Sequence, residues 1–261
     1  MKIQSHLIFS KEVKIMYNNN WRIWETDPSV ESTLFKRATG ELPEMESTKQ
    51  LVEMVEEVYE PGMRILDVGC GPGHYYRGLQ RINESIDYLG VDATSLYIDS
   101  AENIFRGTSA RFIVGDIFDM PDDIGEFEIV FCCNVILHLP DFRIPMKNLL
   151  KVCRGYCFIR TLISDNTYLH KFVKGDEFDE MGNPKKFIYQ NTYSFELLKR
   201  YVGSLGTYYV ELIEDRFDPR VLAGEYDTVK RKSPGATRIL EGFQVSGNLI
   251  FEWRWLKISL C

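Results

Sequence analysis

The chain has 261 residues, of which 44% are hydrophobic and 26% charged, and its formal net charge is −7. That length buries a sizeable core, and the composition is that of a soluble globular protein rather than a disordered one. The acidic balance argues against a large nucleic-acid partner, which calls for a basic face. The short run Lys230, Arg231, Lys232 reads as a solvated loop. No stretch approaches the ~18 apolar residues a membrane helix needs, so no membrane partner is expected. The N-terminal apolar run is too short for a signal peptide, and Lys11, Glu12 and Lys14 interrupt it. The expected compartment is therefore the cytoplasm, with Met16 as an alternative start. Cys70, Cys132, Cys133, Cys153, Cys157 and Cys261 mostly fall in or beside apolar runs and read as buried and reduced. No CxxC pair occurs, so no metal site is expected.

In chain order, residues 17–43 are rich in Trp, Tyr, Asn and Pro and read as irregular or weakly helical. Leu51, Val52, Val55 and Val58 recur at helical spacing over 45–59, and Pro61-Gly62 ends that helix. An alternation then begins. Strands are predicted at 63–68, 86–91, 111–114, 127–133 and 156–162, and helices at 73–82, 95–105 and 145–152. Near-continuous apolar strands separated by helices indicate a parallel sheet covered on both faces. Residues 163–192 show no clear period. Ser194 reads as the N-cap of a helix ending near Gly203. Two late strand-like runs, 207–213 and 249–259, lack a crossover helix between them and are expected to pair antiparallel at a sheet edge.

The segment Ile65-Leu66-Asp67-Val68-Gly69-Cys70-Gly71-Pro72-Gly73 runs from a strand through a turn into a helix. Glycines there let backbone approach a ligand, and a helix N-terminus adds N–H groups. The spacing discriminates among ligands. A dinucleotide site needs GxGxxG, but the last position is His74 counting from Gly69 and Tyr76 counting from Gly71. No GxxxxGK[ST] occurs either. What remains is a carboxylate at Asp67 ahead of GxGxG, which suits a ligand with an ammonium group and a cationic centre.

Residues 64–162 resemble the small-molecule branch of the class I S-adenosylmethionine-dependent methyltransferase family. Asp67, Gly69, Gly71 and Gly73 match the family's first motif, with Cys70 inside the loop. The resemblance implies an α/β, Rossmann-like doubly wound seven-stranded sheet, mostly parallel with an antiparallel edge strand and helices on both faces. It implies that Asp92, followed by Ala93, accepts from the two ribose hydroxyls. It implies that Asp116 accepts from the adenine amino group while the Ile117 backbone donates to the ring. Asn134 falls in the segment lying along the methionine portion, and Arg37 is a candidate for its carboxylate. The cofactor implied is S-adenosyl-L-methionine, with S-adenosyl-L-homocysteine as product.

Methyl transfer from a sulfonium mainly needs alignment, and a base only where the acceptor loses a proton. The cofactor motif therefore leaves the catalytic residue open. His138 is the candidate base, against a structural role at a helix start, and His74 is equally open. Asn134-Val135-Ile136-Leu137 is not the Asn/Asp-Pro-Pro-aromatic motif of amino-group DNA methylation, and no Pro-Cys dipeptide supplies a cytosine-C5 nucleophile. The expected activity is methylation of O or N on a small-molecule acceptor. The alternatives are a non-catalytic cofactor-binding or scaffold protein and another nucleotide-using enzyme on the same fold. The expected organisation is an N-terminal segment and lid over 1–44, then a methyltransferase domain over 45–261 with insertions at about 163–192 and 215–247. Those segments and 17–43 offer Tyr17, Trp21, Trp24, Arg37, Tyr168, Tyr189, Tyr193, Arg220 and Tyr226 to a ring-bearing or acidic acceptor, or to lid packing.

Overall fold

The structure, a computed structural model, describes residues 28–218, 238–246 and 249–260. Two helices, α1 (Pro28–Thr39) and α2 (Glu46–Glu56), come first. The alternation follows as β1 (Arg64–Val68), α3 (His74–Leu79), β2 (Asp87–Asp92), α4 (Ser95–Ile104), β3 (Arg111–Val114) and β4 (Phe127–Cys133). A single 3-10 turn (Ile136–His138) leads to α5 (Arg143–Val152) and β5 (Cys153–Ser164). Then come a hairpin of β6 (Lys171–Val173) and β7 (Phe187–Tyr189), β8 (Thr192–Ser194), α6 (Phe195–Leu205) and β9 (Tyr208–Glu214). The chain closes on β10 (Arg238–Leu240), β11 (Phe243–Ser246), β12 (Leu249–Ile250) and β13 (Trp253–Leu260).

The main sheet runs β3-β2-β1-β4-β5-β13-β9. The pairs among β3, β2, β1, β4 and β5 are all parallel. Strand alternation divides the core between two layers. Leu66, Val130 and Ile159 face Leu149 of α5 and Leu198 and Val202 of α6. Their neighbours Ile65, Ile129 and Phe158 face Leu51 and Val55 of α2, Tyr76 and Leu79 of α3, and Ile98 of α4. Both faces of the sheet are thus buried, which is why the strands read as continuous apolar runs. Ser194 caps α6, its hydroxyl accepting from the Leu197 N–H at 3.3 Å. Pro145 is tolerated in the first turn of α5, where no intrahelical N–H bond is lost.

The sheet has eight strands, not seven. β4 pairs with β5 only as far as Cys133 opposite Arg160, while β13 holds the other edge of β5 at Leu162. The twelve-residue β5 thus leaves its end open on the β4 side, and Thr192–Ser194 fills it as a short parallel strand. The antiparallel strand is β13, one place in from the edge. The edge strand β9 is antiparallel to β13 and so runs parallel to β5.

Other differences lie where strands or helices are short. The run at 249–259 divides: Leu249–Ile250 joins a separate three-stranded sheet with β10 and β11, and only Trp253 onward enters the main sheet. Residues 163–192 hold the three-residue strands of the β6–β7 hairpin, too short to display a period. Residues 28–39, within the segment read from the sequence as irregular or weakly helical, form the helix α1. Among the described residues, no helix is long and apolar enough to cross a membrane.

Candidate functional site

A cavity of about 300 Å³ opens at the carboxyl ends of β1 to β4. That end of an open α/β sheet is where the chain turns from strand to helix and leaves a crevice. Gly69 and Gly71 line it from the loop after β1, and Asp92, Ala93 and Thr94 from the turn after β2. Asp116 and Ile117 follow from the turn after β3, and Asn134, Val135 and His138 from the segment after β4.

The glycine loop differs in detail from the sequence expectation. Gly69, Gly71 and Gly73 all have positive φ, at 84°, 52° and 84°. Of the three, only Gly71 has room for a Cβ, which would lie in ordinary contact at 3.7 Å from His74 and Leu34. A Cβ on Gly69 comes within 2.2 Å of Val135 Cγ2, and one on Gly73 within 2.6 Å of the Phe105 ring. Cys70 is fully buried, and its thiol points at the Gly71 carbonyl. Gly73 and Cys70 pack beneath the loop and are not in the cavity lining. The loop's N–H groups are also engaged internally. Gly69 and Cys70 both donate to the Val91 carbonyl, Gly71 donates to Asp92 Oδ2 at 2.9 Å, and Gly73 donates to the Cys70 carbonyl. A phosphate cradle presents such groups to the ligand, and this loop does not.

Asp92 is held in place by two backbone donors, Gly71 on Oδ2 and Thr94 on Oδ1, each at 2.9 Å. These two bonds orient the carboxylate at the end of β2. Asp116 Oδ1 accepts from the Phe118 N–H, and the Ile117 carbonyl accepts from Asn148 of α5, which together set the turn after β3. Asp67 is absent from the cavity wall. Its carboxyl is 1% exposed and accepts from the Tyr88 hydroxyl at 2.6 Å. Burial pushes its pKa well above the usual range, the Tyr88 bond opposes this, and the charge of Asp92 adds to it.

His138 lies in the cavity wall, with Nδ1 2.8 Å from the Tyr189 carbonyl. A carbonyl only accepts, so Nδ1 carries the proton and Nε2 is the basic nitrogen. Burial holds its pKa down at about 4, against the raising effect of that hydrogen bond. His74 is 8% exposed, and burial together with the charge of Arg37 lowers its pKa to about 3. It separates the first cavity from a neighbouring one of about 350 Å³ bordered by Arg37, Arg77 and Arg81. Arg37 thus stands on the far side of His74, and Arg81 is paired with Glu44 at 2.7 Å.

Of the aromatic side chains expected around an acceptor, Tyr193 belongs to the core. It is 2% exposed, packs on Phe142 and bonds to Asn191. Tyr168 is half exposed, and Tyr189 borders the 3-10 turn through its carbonyl. Tyr17, Trp21, Trp24, Arg220, Tyr226, the run Lys230, Arg231, Lys232, Met16 and Cys261 lie outside the described residues. Sequence reasoning missed Thr94, whose N–H orients Asp92, and the buried ion pair of Arg160 with Asp215. A lone arginine inside an apolar strand was a legible signal for the latter, because a buried charge requires a partner.

The crevice has carboxylates at the turns after β2 and β3 and a glycine loop whose donors are engaged, so it is not built as a phosphate cradle. Residues 59–199, more than half the chain, match the family model of a methyltransferase domain, and the chain belongs to the class I S-adenosylmethionine-dependent methyltransferases. The cofactor of that family is S-adenosylmethionine. Cycloartenol-C-24-methyltransferase of Arabidopsis thaliana is 26% identical over 152 residues, 54% of this chain and 44% of that protein. The tRNA U34 carboxymethyltransferase of Proteus mirabilis is 28% identical over 130 residues, 47% of this chain and 39% of that one. The chain thus spans less than half the length of these curated relatives. Magnesium protoporphyrin IX methyltransferase of Synechocystis PCC 6803, crystallised with bound S-adenosylmethionine, shares the fold. Its TM-score is 0.55 at 12% identity, covering 94% of this chain and 98% of that one.

Proposed function

We propose that this chain methylates an oxygen or nitrogen of a small-molecule acceptor in the cytoplasm, with His138 as the base. The observation that carries this reading is the neutral imidazole of His138 in the cavity wall, its Nδ1 held by Tyr189. An acceptor hydroxyl or ammonium must lose a proton, and a positioned imidazole takes it. The net charge of −7 favours a small acceptor over a polyanion, although one relative is named for tRNA. The five described cysteines are all buried and free, as suits a reducing compartment.

The site residues fit the methyl donor. Asp92 is oriented to accept from a vicinal diol, and the turn at Asp116 and Ile117 offers an acceptor and a donor to a purine edge. Gly69, Gly71, Ala93 and Asn134 supply close backbone, with Asp67 buried beneath the loop. Arg37 borders the neighbouring cavity, where its charge faces His74. S-adenosylmethionine, when bound, supplies a methyl group on a sulfonium whose thioether leaves by in-line displacement. His138 Nε2 accepts the acceptor's proton and passes it to solvent. Residues 163–192 leave the same end of the sheet and border the acceptor's surroundings.

The test incubates the chain with methyl-labelled donor and a cell extract, and follows the label. Label in nuclease-resistant small metabolites is expected, and label in nuclease-sensitive material overturns the small-acceptor reading. A chain that binds the donor and labels nothing favours a scaffold. Asp92→Ala is expected to abolish donor binding by calorimetry at micromolar concentrations. His138→Asn, which keeps an N–H for Tyr189 and removes the base, is expected to lower kcat by about 10²–10⁴, with donor affinity changed less than threefold. An unchanged kcat removes His138 from the chemistry.

A further inference from the structure

Arg160 is the one charge in the buried stretch of β5 from Cys157 to Ile163, and it is 5% exposed. Its guanidinium is held on three sides. Nε donates to Asp215 Oδ2 at 2.5 Å and Nη2 to Asp215 Oδ1 at 3.1 Å, and the Asp215 side chain is 2% exposed. The Trp253 ring lies 4.2 Å from the guanidinium carbon. The remaining nitrogen, Nη1, donates to the side-chain oxygen of Asn134 at 2.5 Å. The backbone repeats the link, since the Asn134 N–H donates to the Arg160 carbonyl at 2.9 Å.

Asn134 is the residue of this set that reaches the cofactor cavity. Its φ is +60°, one of two positive values among the described non-glycine residues. That conformation is disfavoured for an L residue, and asparagine tolerates it better than most. The turn made there delivers Val135 onto Gly69, where a Cβ is excluded at 2.2 Å from Val135 Cγ2. The loops after β1 and β4 therefore meet at this point, and the floor of the cavity depends on the backbone of Asn134.

We propose that Arg160 and Asp215 are positioning residues for the cofactor. Asp215 and Trp253 lock the guanidinium, which clamps the Asn134 side chain and holds the loop after β4 in its left-handed turn. The Asn134 amide thus points back into the protein, and its backbone, not its side chain, serves the ligand. The clamp also ties the cavity floor to the exit of β9. Gln50 secures that exit independently, donating to the Glu214 carbonyl at 2.8 Å and accepting from the Arg216 N–H at 3.0 Å. The inference rests on the cavity being the S-adenosylmethionine site.

Calorimetric titration of the full chain with S-adenosylhomocysteine tests this, with melting temperatures of the ligand-free variants recorded alongside. Asn134→Gly removes the clamped group but adopts positive φ freely, so affinity is expected to fall about threefold. Asn134→Ala removes the group and resists the turn, and a loss of tenfold or more is expected. Arg160→Lys keeps the charge and loses the fork, with a loss of at least tenfold expected in the native background. In the Asn134→Gly background the same change is expected to cost less than twofold, since the clamp then has nothing to hold. Equal losses in Asn134→Gly and Asn134→Ala overturn the proposal, because the amide itself then meets the ligand. So does an Arg160→Lys effect of the same size in both backgrounds, or no effect in either. Should Arg160→Lys fail to fold, the two Asn134 variants decide alone. Native affinity in Asp92→Ala removes the underlying site, and the inference with it.

Discussion

His74 and His138 are both held neutral by burial, and both face the same cavity. A histidine in the unfolded chain titrates near 6.5, so a folded pKa near 3 means that only the unfolded state takes up the proton between those values. The stability from neutral His74 is fully present above about pH 6.5 and is lost as pH falls towards 3. Between pH 7 and pH 5 the loss is about 2 kcal/mol for a shift of this size. His74→Phe is expected to flatten the pH dependence of urea unfolding by about that amount, and an unaltered slope counts against a buried neutral ring. The Nδ1 of His74 has no hydrogen-bond partner, which phenylalanine does not need either. His74 and Asp67 were legible beside the glycine motif, and Asp92 through the family resemblance. Their charge states were not, because these depend on burial and on Tyr88 and Arg37, which come from other elements.

α3 shows why the glycine motif does two jobs. The helix is six residues long, and its Tyr76 enters an aromatic group with Tyr88 at 4.7 Å, Phe105 at 5.0 Å and Phe112 at 6.2 Å between ring centroids. Gly73 sits at the start of that helix against Phe105 and Phe112. Gly73→Ala combines a positive φ with a Cβ 2.6 Å from a ring carbon. Left-handed strain of about 1–2 kcal/mol and overpacking of about 1–3 kcal/mol add to an expected loss of about 2–5 kcal/mol in unfolding free energy. Denaturant unfolding measures it, and a change below about 0.5 kcal/mol counts against the packing role. At the same scale, the apolar runs of β1, β4 and β5 were legible as strands, and Ser194 as the cap of α6. The short strands β6, β7 and β8 were not, since three residues are too few to display a strand period.

Across the molecule, two hydrophobic layers share one sheet, and adjacent residues of each strand serve opposite layers. That arrangement brings the turns after β1, β2, β3 and β4 to one end, so residues as distant as Gly69 and His138 line one cavity. The sequence alone determined the alternation of strand and helix, the family, and the residues after each strand. These follow from local periodicity and from motifs confined to a few consecutive positions. Tertiary structure alone decided that Asp67 is buried under Tyr88, that Gly73 serves a ring cluster, and that Asn134 is clamped by Arg160 and Asp215. Each of these contacts joins residues from different elements, 21 to 55 positions apart where hydrogen bonds link them, and no pattern along the chain records which side chains the packing of the sheet brings together.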